Sequence, residues 1–339
     1  MRTREELAQM QRLPLKIKVL KTKQRIREWV DFYGEDGVYI SFSGGKDSTV
    51  LLHIVREMYP NIEAVFVNTG LEYPEIQRFV KTFDNVTILR PKMRFDEVIK
   101  KYGYPIISKE VSQAIWYAKK GSKWAVNQLN GLDKNGKPHE FKASMYAKYK
   151  PLVDVDFKIS NKCCLVMKEA PLEKQEKTKK PIVALMADES LKRELAWRMT
   201  GCNAFNSKKP MSKPMSFWTE QDILQYIVEN KIEIASVYGD ITADREDGQM
   251  CFEGMECKYR TTKCQRTGCI FCAYGVHLEK EPTRFQKLKQ THPRQYEYCI
   301  GGGEFNEDGI WQPNKEGLGM GYVFDTLNGI YGEGFIKYK

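Results

Sequence analysis

Val38-Tyr39-Ile40-Ser41-Phe42-Ser43-Gly44-Gly45-Lys46-Asp47-Ser48-Thr49 is the stretch that decides the fold. An apolar run leads into a glycine-rich turn, and Val50-Leu51-Leu52-His53-Ile54-Val55 follows with a helical pattern. A strand, a tight turn and a helix start together make an anion site. Glycines let the backbone turn sharply and approach a ligand with no Cβ in the way. The first amides of a helix lack internal partners, and the helix dipole favours a phosphate-like group there. Lys46 adds a cation, and Ser43, Ser48 and Thr49 add hydroxyls. Asp47 would repel a phosphate, so it reads either as a helix cap or as a holder of Mg²⁺ against phosphates.

Outward from this loop, strands and helices alternate. Strands over 37–42, 62–67 and 86–89 are followed by helices over 48–58, 74–83 and 95–102. Such alternation predicts a parallel sheet covered on both faces, with ligands beyond the carboxyl ends of its strands. Asn68-Thr69-Gly70-Leu71-Glu72-Tyr73-Pro74 follows the second strand at one such end. A strand over 181–186 returns to the sheet, and a helix over 189–199 follows it. Thr219 caps a further helix, with Asp222 as its acidic third residue. Residues 3–34 read as helical, with a basic face of Lys16, Lys18, Lys21, Lys23, Arg25 and Arg27 that is expected to be solvated. One helix is expected over 108–129. Few periodic signals mark 238–302, and in the Gly- and aromatic-rich end only 323–327 looks helical.

The chain has 339 residues, of which 42% are apolar, enough for about two domains with real cores. It contains no run of about 18 apolar residues, so no membrane partner is expected. Met1-Arg2-Thr3-Arg4-Glu5-Glu6 is too charged for a secretory signal, which predicts a cytoplasmic protein. The net charge of +10 suits an anionic substrate or nucleic acid, and equally a lysine-rich solvated surface. Nine cysteines in a reducing compartment read as metal or redox chemistry rather than a disulfide framework. Cys269-Ile270-Phe271-Cys272 has the spacing of a chelating pair, and Cys163-Cys164 is a second pair. Four thiolates suit an iron–sulfur cluster or zinc. A local zinc site from Cys251, Cys257, Cys264 and Cys269 or Cys272 is the alternative.

Ser43-Gly44-Gly45-Lys46-Asp47-Ser48 is not the Walker pattern. It resembles the pyrophosphate-binding loop (PP-loop) of the adenine-nucleotide α-hydrolase superfamily, which includes ATP pyrophosphatases. Cys163 to Leu172 resembles the C-C-x-x-x-K-x-x-P-L segment of adenylylsulfate reductases, and Gly268 to Gly275 resembles their G-C-x-x-C-x-x-G segment. Asn68-Thr69-Gly70-Leu71-Glu72-Tyr73-Pro74-Glu75, Gly103-Tyr104-Pro105-Ile106-Ile107-Ser108, Glu189-Ser190-Leu191-Lys192-Arg193 and Trp218-Thr219-Glu220-Gln221-Asp222 resemble further segments. The resemblance, to the iron–sulfur type of the phosphoadenylylsulfate/adenylylsulfate reductase family, covers most of residues 14–285.

The resemblance implies a Rossmann-like α/β fold, with N-terminal helices over 1–36, a nucleotide-binding domain over 37–237 and a cysteine-rich C-terminal region over 238–339. It implies that Ser43, Gly44, Gly45, Lys46, Asp47, Ser48, Asn68, Thr69 and Gly70 bind the nucleotide, with Lys46 and Asp47 catalytic. It implies a 4Fe-4S cluster on Cys163, Cys164, Cys269 and Cys272, with Lys168 near the cluster and the substrate anion. Two departures qualify this. Ala184 and Met186 stand where the family has Gly and Arg, so one anion-binding cation is missing or supplied elsewhere. The family's cysteine in a terminal E-C-G-[IL]-H motif is also absent, the last cysteine being Cys299.

The expectation is therefore an enzyme that uses ATP and Mg²⁺ to activate an acceptor for sulfur transfer. It calls for a sulfur donor protein and leaves nucleic acid open as acceptor. The first alternative is a sulfonucleotide reductase acting on adenylylsulfate or phosphoadenylylsulfate, with Cys299 or a cysteine from 251–264 as the working thiol. The alternative of another class is a zinc-containing nucleic-acid-binding or regulatory protein. The sequence names neither the acceptor nor the oligomeric state.

Overall fold

β1 (Val38–Ser41), β2 (Ala64–Val67), β3 (Val86–Leu89) and β4 (Lys180–Val183) run parallel, each four residues long. β5 (Asn203–Ala204) and β6 (Met211–Ser212) extend the sheet, which has the order β3-β2-β1-β4-β6-β5. Only the β5–β6 pair is antiparallel. The result is a Rossmann-like sheet flanked by helices, as the alternating pattern predicts. The computed structural model describes residues 1–244 and 258–339. Among these no helix is long and apolar enough to cross a membrane.

The chain divides into two compact units. The first comprises Met1–Asn68, Glu72–Arg90 and Leu172–Thr267 and contains the whole sheet. Its helices include α1 (Arg4–Gln11), α2 (Leu15–Tyr33), α3 (Lys46–Met58), α4 (Pro74–Val80), α5 (Leu191–Thr200) and α6 (Glu220–Glu229). α3 begins with no side-chain cap, since Gly45 occupies the N-cap. A glycine N-cap costs only a few tenths of a kcal/mol, on the order of 0.3, relative to a capping side chain. Val50, Leu51, Leu52, Ile54 and Val55 offset it, because each buried aliphatic side chain contributes about 1.5–3 kcal/mol.

The second unit comprises Thr69–Leu71, Pro91–Pro171 and Gly268–Lys339. The helix expected over 108–129 is two helices, Lys109–Ala118 and Lys123–Leu129. Between them Gly121 adopts φ +76°, which ends the first. Two helices also stand where little periodicity shows, Arg284–Thr291 and Pro293–Ile300. Local chemistry sets their starts. Thr283 and Gln286 form a capping box, and Pro293 takes the first-turn position where its missing N–H is harmless. The terminal helix spans Met320–Tyr331, longer than its sequence signal.

One residue of the basic α2 face is not solvated. Lys18 is 2% exposed, and its Nζ donates to both carboxylate oxygens of Asp222, at 2.7 and 2.6 Å. Asp222 also completes the capping box at Thr219, accepting the Thr219 N–H at 2.6 Å. The pair thus ties α2 to the start of α6. Removing one partner of a buried pair strands a charge, at a cost of about 3–5 kcal/mol. Asp222→Ala is expected to lose stability of that order in urea unfolding. The double variant Lys18→Met/Asp222→Leu should recover most of it, and an Asp222→Ala loss below about 1 kcal/mol would contradict this role for the pair.

Candidate functional site

The glycine-rich turn lies at the carboxyl end of β1 and opens into α3. Gly44 has φ +71°, and a Cβ there would stand 2.7 Å from Val80 Cγ2 and 2.8 Å from Ile76 Cγ2. Only glycine fits between the turn and α4. The turn is tied by its hydroxyls. Ser43 N–H donates to Ser48 Oγ at 3.2 Å, Gly45 N–H to Ser43 Oγ at 3.3 Å, and the Ser48 and Thr49 hydroxyls to the Gly45 carbonyl at 2.9 and 3.0 Å.

A cavity of about 330 Å³ opens over this turn, within the first unit. Ser43, Gly45, Lys46, Asp47 and Ser48 line it, as does the 183–186 segment after β4. Gly44 supports the loop from behind. Lys46 is buried and its Nζ lies 2.9 Å from the Gln265 carbonyl, 3.1 Å from Glu220 and 3.6 Å from Asp47. Its N–H donates to the Tyr238 hydroxyl at 3.1 Å, which in turn pairs with Thr267 Oγ1 at 2.6 Å. Arg193, held by Glu189, and Arg266 complete the lining with two more cations.

Asp47 is half-buried, and its Oδ1 atom, shielded from solvent, makes no hydrogen bond. Burial raises its pKa above the ordinary carboxylate value, and Glu220 adds to the rise while Lys46 and Arg266 oppose it. A carboxylate oxygen with no hydrogen bond and only a 3.6 Å ion-pair contact to Lys46, in a polar cavity, fits a hard cation such as Mg²⁺. Burial, with Arg266 nearby, lowers the pKa of Arg193.

Asn68, at the end of β2, is in the first unit but not among the residues lining this cavity. Its N–H donates to the Leu89 carbonyl at 2.8 Å. Thr69, Gly70 and Lys168 fall in the second unit. Thr69 Oγ1 accepts from the Leu71 N–H at 3.1 Å, closing the turn there. Tyr238, Glu220, Arg266 and Thr267 are site residues that the motif reading missed. Glu220 was visible only as the first residue of a capped helix, and no local pattern marked the others.

The cysteine pairs meet within the second unit. Segment 104–107 aligns both. Tyr104 N–H donates to the Lys158 carbonyl at 2.8 Å, and Tyr104 bridges Ile159, four residues before Cys163. Ile106 and Ile107 pair in parallel with Ala273 and Tyr274, immediately after Cys272. Cys163 and Cys164 sit in a short helix that widens into a π-turn over Leu165–Glu169, which carries Lys168. Cys269 and Cys272 close their own turn, with Cys272 N–H donating to the Cys269 carbonyl at 3.1 Å.

The four thiols form one electrostatic neighbourhood. A shared hydrogen bond with Cys164 raises the Cys163 pKa, helped by burial and by Cys269 and Cys272. The same bond lowers that of Cys164, and Lys109 and Lys168 lower it further. Burial raises Cys272, against Arg284 and Lys168. Four sulfur donors ringed by cations fit an anionic iron–sulfur cluster as a donor set. Among the described residues no group of three or more His, Cys, Asp or Glu is spaced to hold a single metal ion. Cys251 and Cys257, needed for the local zinc site, lie outside the described residues.

A family model described as "Phosphoadenosine phosphosulfate reductase domain" matches residues 37–274. An uncharacterized protein of Methanocaldococcus jannaschii is 37% identical over 70 residues, 19% of this chain and 17% of that protein. A phosphoadenosine 5'-phosphosulfate reductase of Xylella fastidiosa is 32% identical over 76 residues, 22% of this chain and 32% of the relative. The matches thus span less than a third of the length of either curated relative. Among solved structures, a phosphoadenylyl-sulfate reductase from Candida auris in its phosphate complex aligns with TM-score 0.37 and 13% identity, covering 70% of this chain and 91% of that one. A U34-tRNA thiolase from Methanococcus maripaludis with its 4Fe-4S cluster aligns with TM-score 0.32 and 15% identity, covering 65% and 66%.

The raised Asp47 pKa has a consequence for stability. The folded chain holds the Asp47 proton more tightly than the unfolded chain does, so the ionised group costs stability at neutral pH. That cost falls away as pH drops through the raised value toward about 4, the ordinary carboxylate range. Asp47→Asn is expected to melt at a higher temperature than the wild type at pH 7, with the gap closing toward that range. Thermal unfolding across this interval checks it, and an Asn variant less stable at pH 7 would overturn it.

Proposed function

Because the chain belongs to the phosphoadenosine phosphosulfate reductase domain family, we propose that it is an enzyme that binds ATP with Mg²⁺ at the 43–48 loop and activates an acceptor for sulfur transfer. The charge balance of the loop cavity carries this reading. Its three cations, Lys46, Arg193 and Arg266, face three carboxylates, Asp47, Glu189 and Glu220. A bare anionic nucleotide would meet all three carboxylates. A nucleotide that brings a divalent cation turns Asp47 from a repulsive group into a ligand.

In this reading the pyrophosphate lies over the turn and takes the Lys46 N–H in place of the Tyr238 hydroxyl. Lys46, Arg193 and Arg266 stabilise the charge that grows on the leaving phosphates. An acceptor oxygen attacks the α-phosphorus, the bond to the β-phosphate oxygen breaks, and pyrophosphate leaves. A sulfur nucleophile then displaces AMP from the adenylylated acceptor. The thiols of Cys163, Cys164, Cys269 and Cys272 would hold a 4Fe-4S cluster, which when bound supplies iron that can carry a sulfur ligand. Lys168 and Lys109 hold positive charge beside it. A sulfur donor protein is the expected partner, and the net charge of +10 suits a nucleic-acid acceptor.

A second reading, sulfonucleotide reduction, has one observation in its favour. Cys264 is half-buried and its thiol reaches the carbonyl of Arg266, a residue of the cavity lining, at 3.0 Å. Cys299 does not serve that role, since it is fully buried with its sulfur 3.4 Å from that of Met320.

Purification without oxygen, followed by iron analysis, a visible spectrum and product assays, separates the two readings. AMP and pyrophosphate released from ATP in an acceptor-dependent manner support the first. Sulfite released from adenylylsulfate, and lost in Cys264→Ser, supports the second. Lys46→Ala is expected to lower nucleotide turnover about 10²–10³-fold while leaving the visible spectrum unchanged. Wild-type turnover in that variant would contradict the assignment of the loop.

A further inference from the structure

The first unit has a second cavity of about 620 Å³ that the reaction above does not use. It lies among α1, α2, the end of α5 and β5. Its wall is apolar on one side, with Met10, Leu13, Trp197 and Phe205. Phe205 is held in place by other rings, with centroids 4.9 Å from Trp29 and 4.8 Å from Phe32. The other side carries Arg2, Lys21 and Arg25 against Glu6 and Glu28.

The carboxylates there are already engaged. Both oxygens of Glu28 accept from Arg25 Nη1, at 2.7 and 2.8 Å, and Oε2 also accepts from Asn203. Glu6 Oε2 accepts the Thr3 N–H at 2.7 Å in the cap of α1. The uncommitted groups are donors. Among the described residues Arg2 and Lys21 have no carboxylate partner. The Arg2 guanidinium rests over the Trp197 ring, 5.7 Å from its centroid. Trp197 is 4% exposed, and its indole N–H makes no hydrogen bond. The group it faces is the thiol of buried Cys202, which Arg25 and Arg2 also approach. Donors that converge on a cavity with flat apolar walls match an anionic group joined to a ring.

We propose that this cavity binds a small organic anion carrying a flat ring, its anionic group held by Arg2 and Lys21 and its ring against Phe205. Phosphate esters and sulfate esters of aromatic or heteroaromatic alcohols and nucleosides share this chemistry. The site is separate from the 43–48 loop, sharing no lining residue with its cavity.

AMP and 4-nitrophenyl sulfate serve as probes on the full chain, with inorganic phosphate and adenosine as controls. Two readouts are used: calorimetric affinity, and the rate at which iodoacetamide alkylates Cys202, followed by peptide mass spectrometry. All measurements are repeated in Lys46→Ala, so that nucleotide held at the loop is not counted. At least one ring-bearing anion should bind about tenfold more tightly than inorganic phosphate or adenosine, and should slow alkylation of Cys202. Protection by AMP alone assigns the phosphate ester, and protection by 4-nitrophenyl sulfate alone the sulfate ester. Arg2→Gln/Lys21→Gln, at positions outside the core, should weaken binding about tenfold or more. Affinity that vanishes in Lys46→Ala, or that survives unchanged in Arg2→Gln/Lys21→Gln, would overturn the proposal. So would failure of both probes to bind.

Discussion

The close packing of Gly44 against α4 is the constraint on which the loop cavity of the first unit rests. With φ +71° and Val80 and Ile76 within 2.8 Å of where a Cβ would be, the turn can neither relax nor carry a side chain. That fixes where α3 begins. The buried face of α3, from Val50 to Val55, then fixes its axis against the sheet. Lys46, on the first turn, has no freedom left, and its buried ammonium stands where core packing puts it. A cation on a flexible stem usually loses side-chain entropy on ordering. Here burial at the helix start has already exacted that loss during folding.

The loop, its strand and its helix were legible because their signal is local. Glycines at a turn, an apolar run before and a helical run after need no distant information. The sheet partners β2, β3 and β4 were legible for the same reason. What sequence reading could not supply came from contacts far apart in the chain. Lys18 sits in a row of lysines and arginines on α2 and reads as one more solvated cation. Its partner is 204 residues away, and Asp222 already had a sufficient local explanation as a cap. Arg266 is flanked by cysteines that dominate the reading of that region. Yet Arg266 and Arg193 line the cavity whose family arginine position holds Met186, itself buried at 4% exposure. Cations thus line the cavity although position 186 carries none.

The cysteine pairs show how a sequence gap of a hundred residues is closed by a short segment. Tyr104 reaches the chain just ahead of Cys163, and Ile106 and Ile107 reach the chain just behind Cys272. Ile107 adopts φ +62°, an uncommon conformation for a β-branched residue. That backbone bend comes at the end of the pairing with Ala273 and Tyr274, two residues before the helix that starts at Lys109. Strain of this kind persists only where the surrounding structure over-determines it. Two sets of backbone hydrogen bonds, one to each cysteine-bearing segment, provide that over-determination. The Gly103 to Ser108 motif therefore has a physical role beyond resemblance, since a side chain at Gly103 would meet the Lys158 carbonyl at 2.4 Å.

α5 links the two cavities of the first unit. Arg193 on its first turn lines the loop cavity, and Trp197 and Thr200 line the second. Four residues of helix separate Arg193 from Trp197, a rise of about 6 Å. The helix is anchored at each end by groups that belong to a cavity. Glu189 grips Arg193 at the start, and at the end Arg2 packs on Gly201 while its N–H donates to the Arg198 carbonyl at 2.9 Å. An anion that drew Arg2 inward would act on the same short rigid element that presents Arg193 to the loop. Ligand at one end and charge at the other thus share a single helix, and differential affinity between two positions of that helix is the physical form any coupling between them must take.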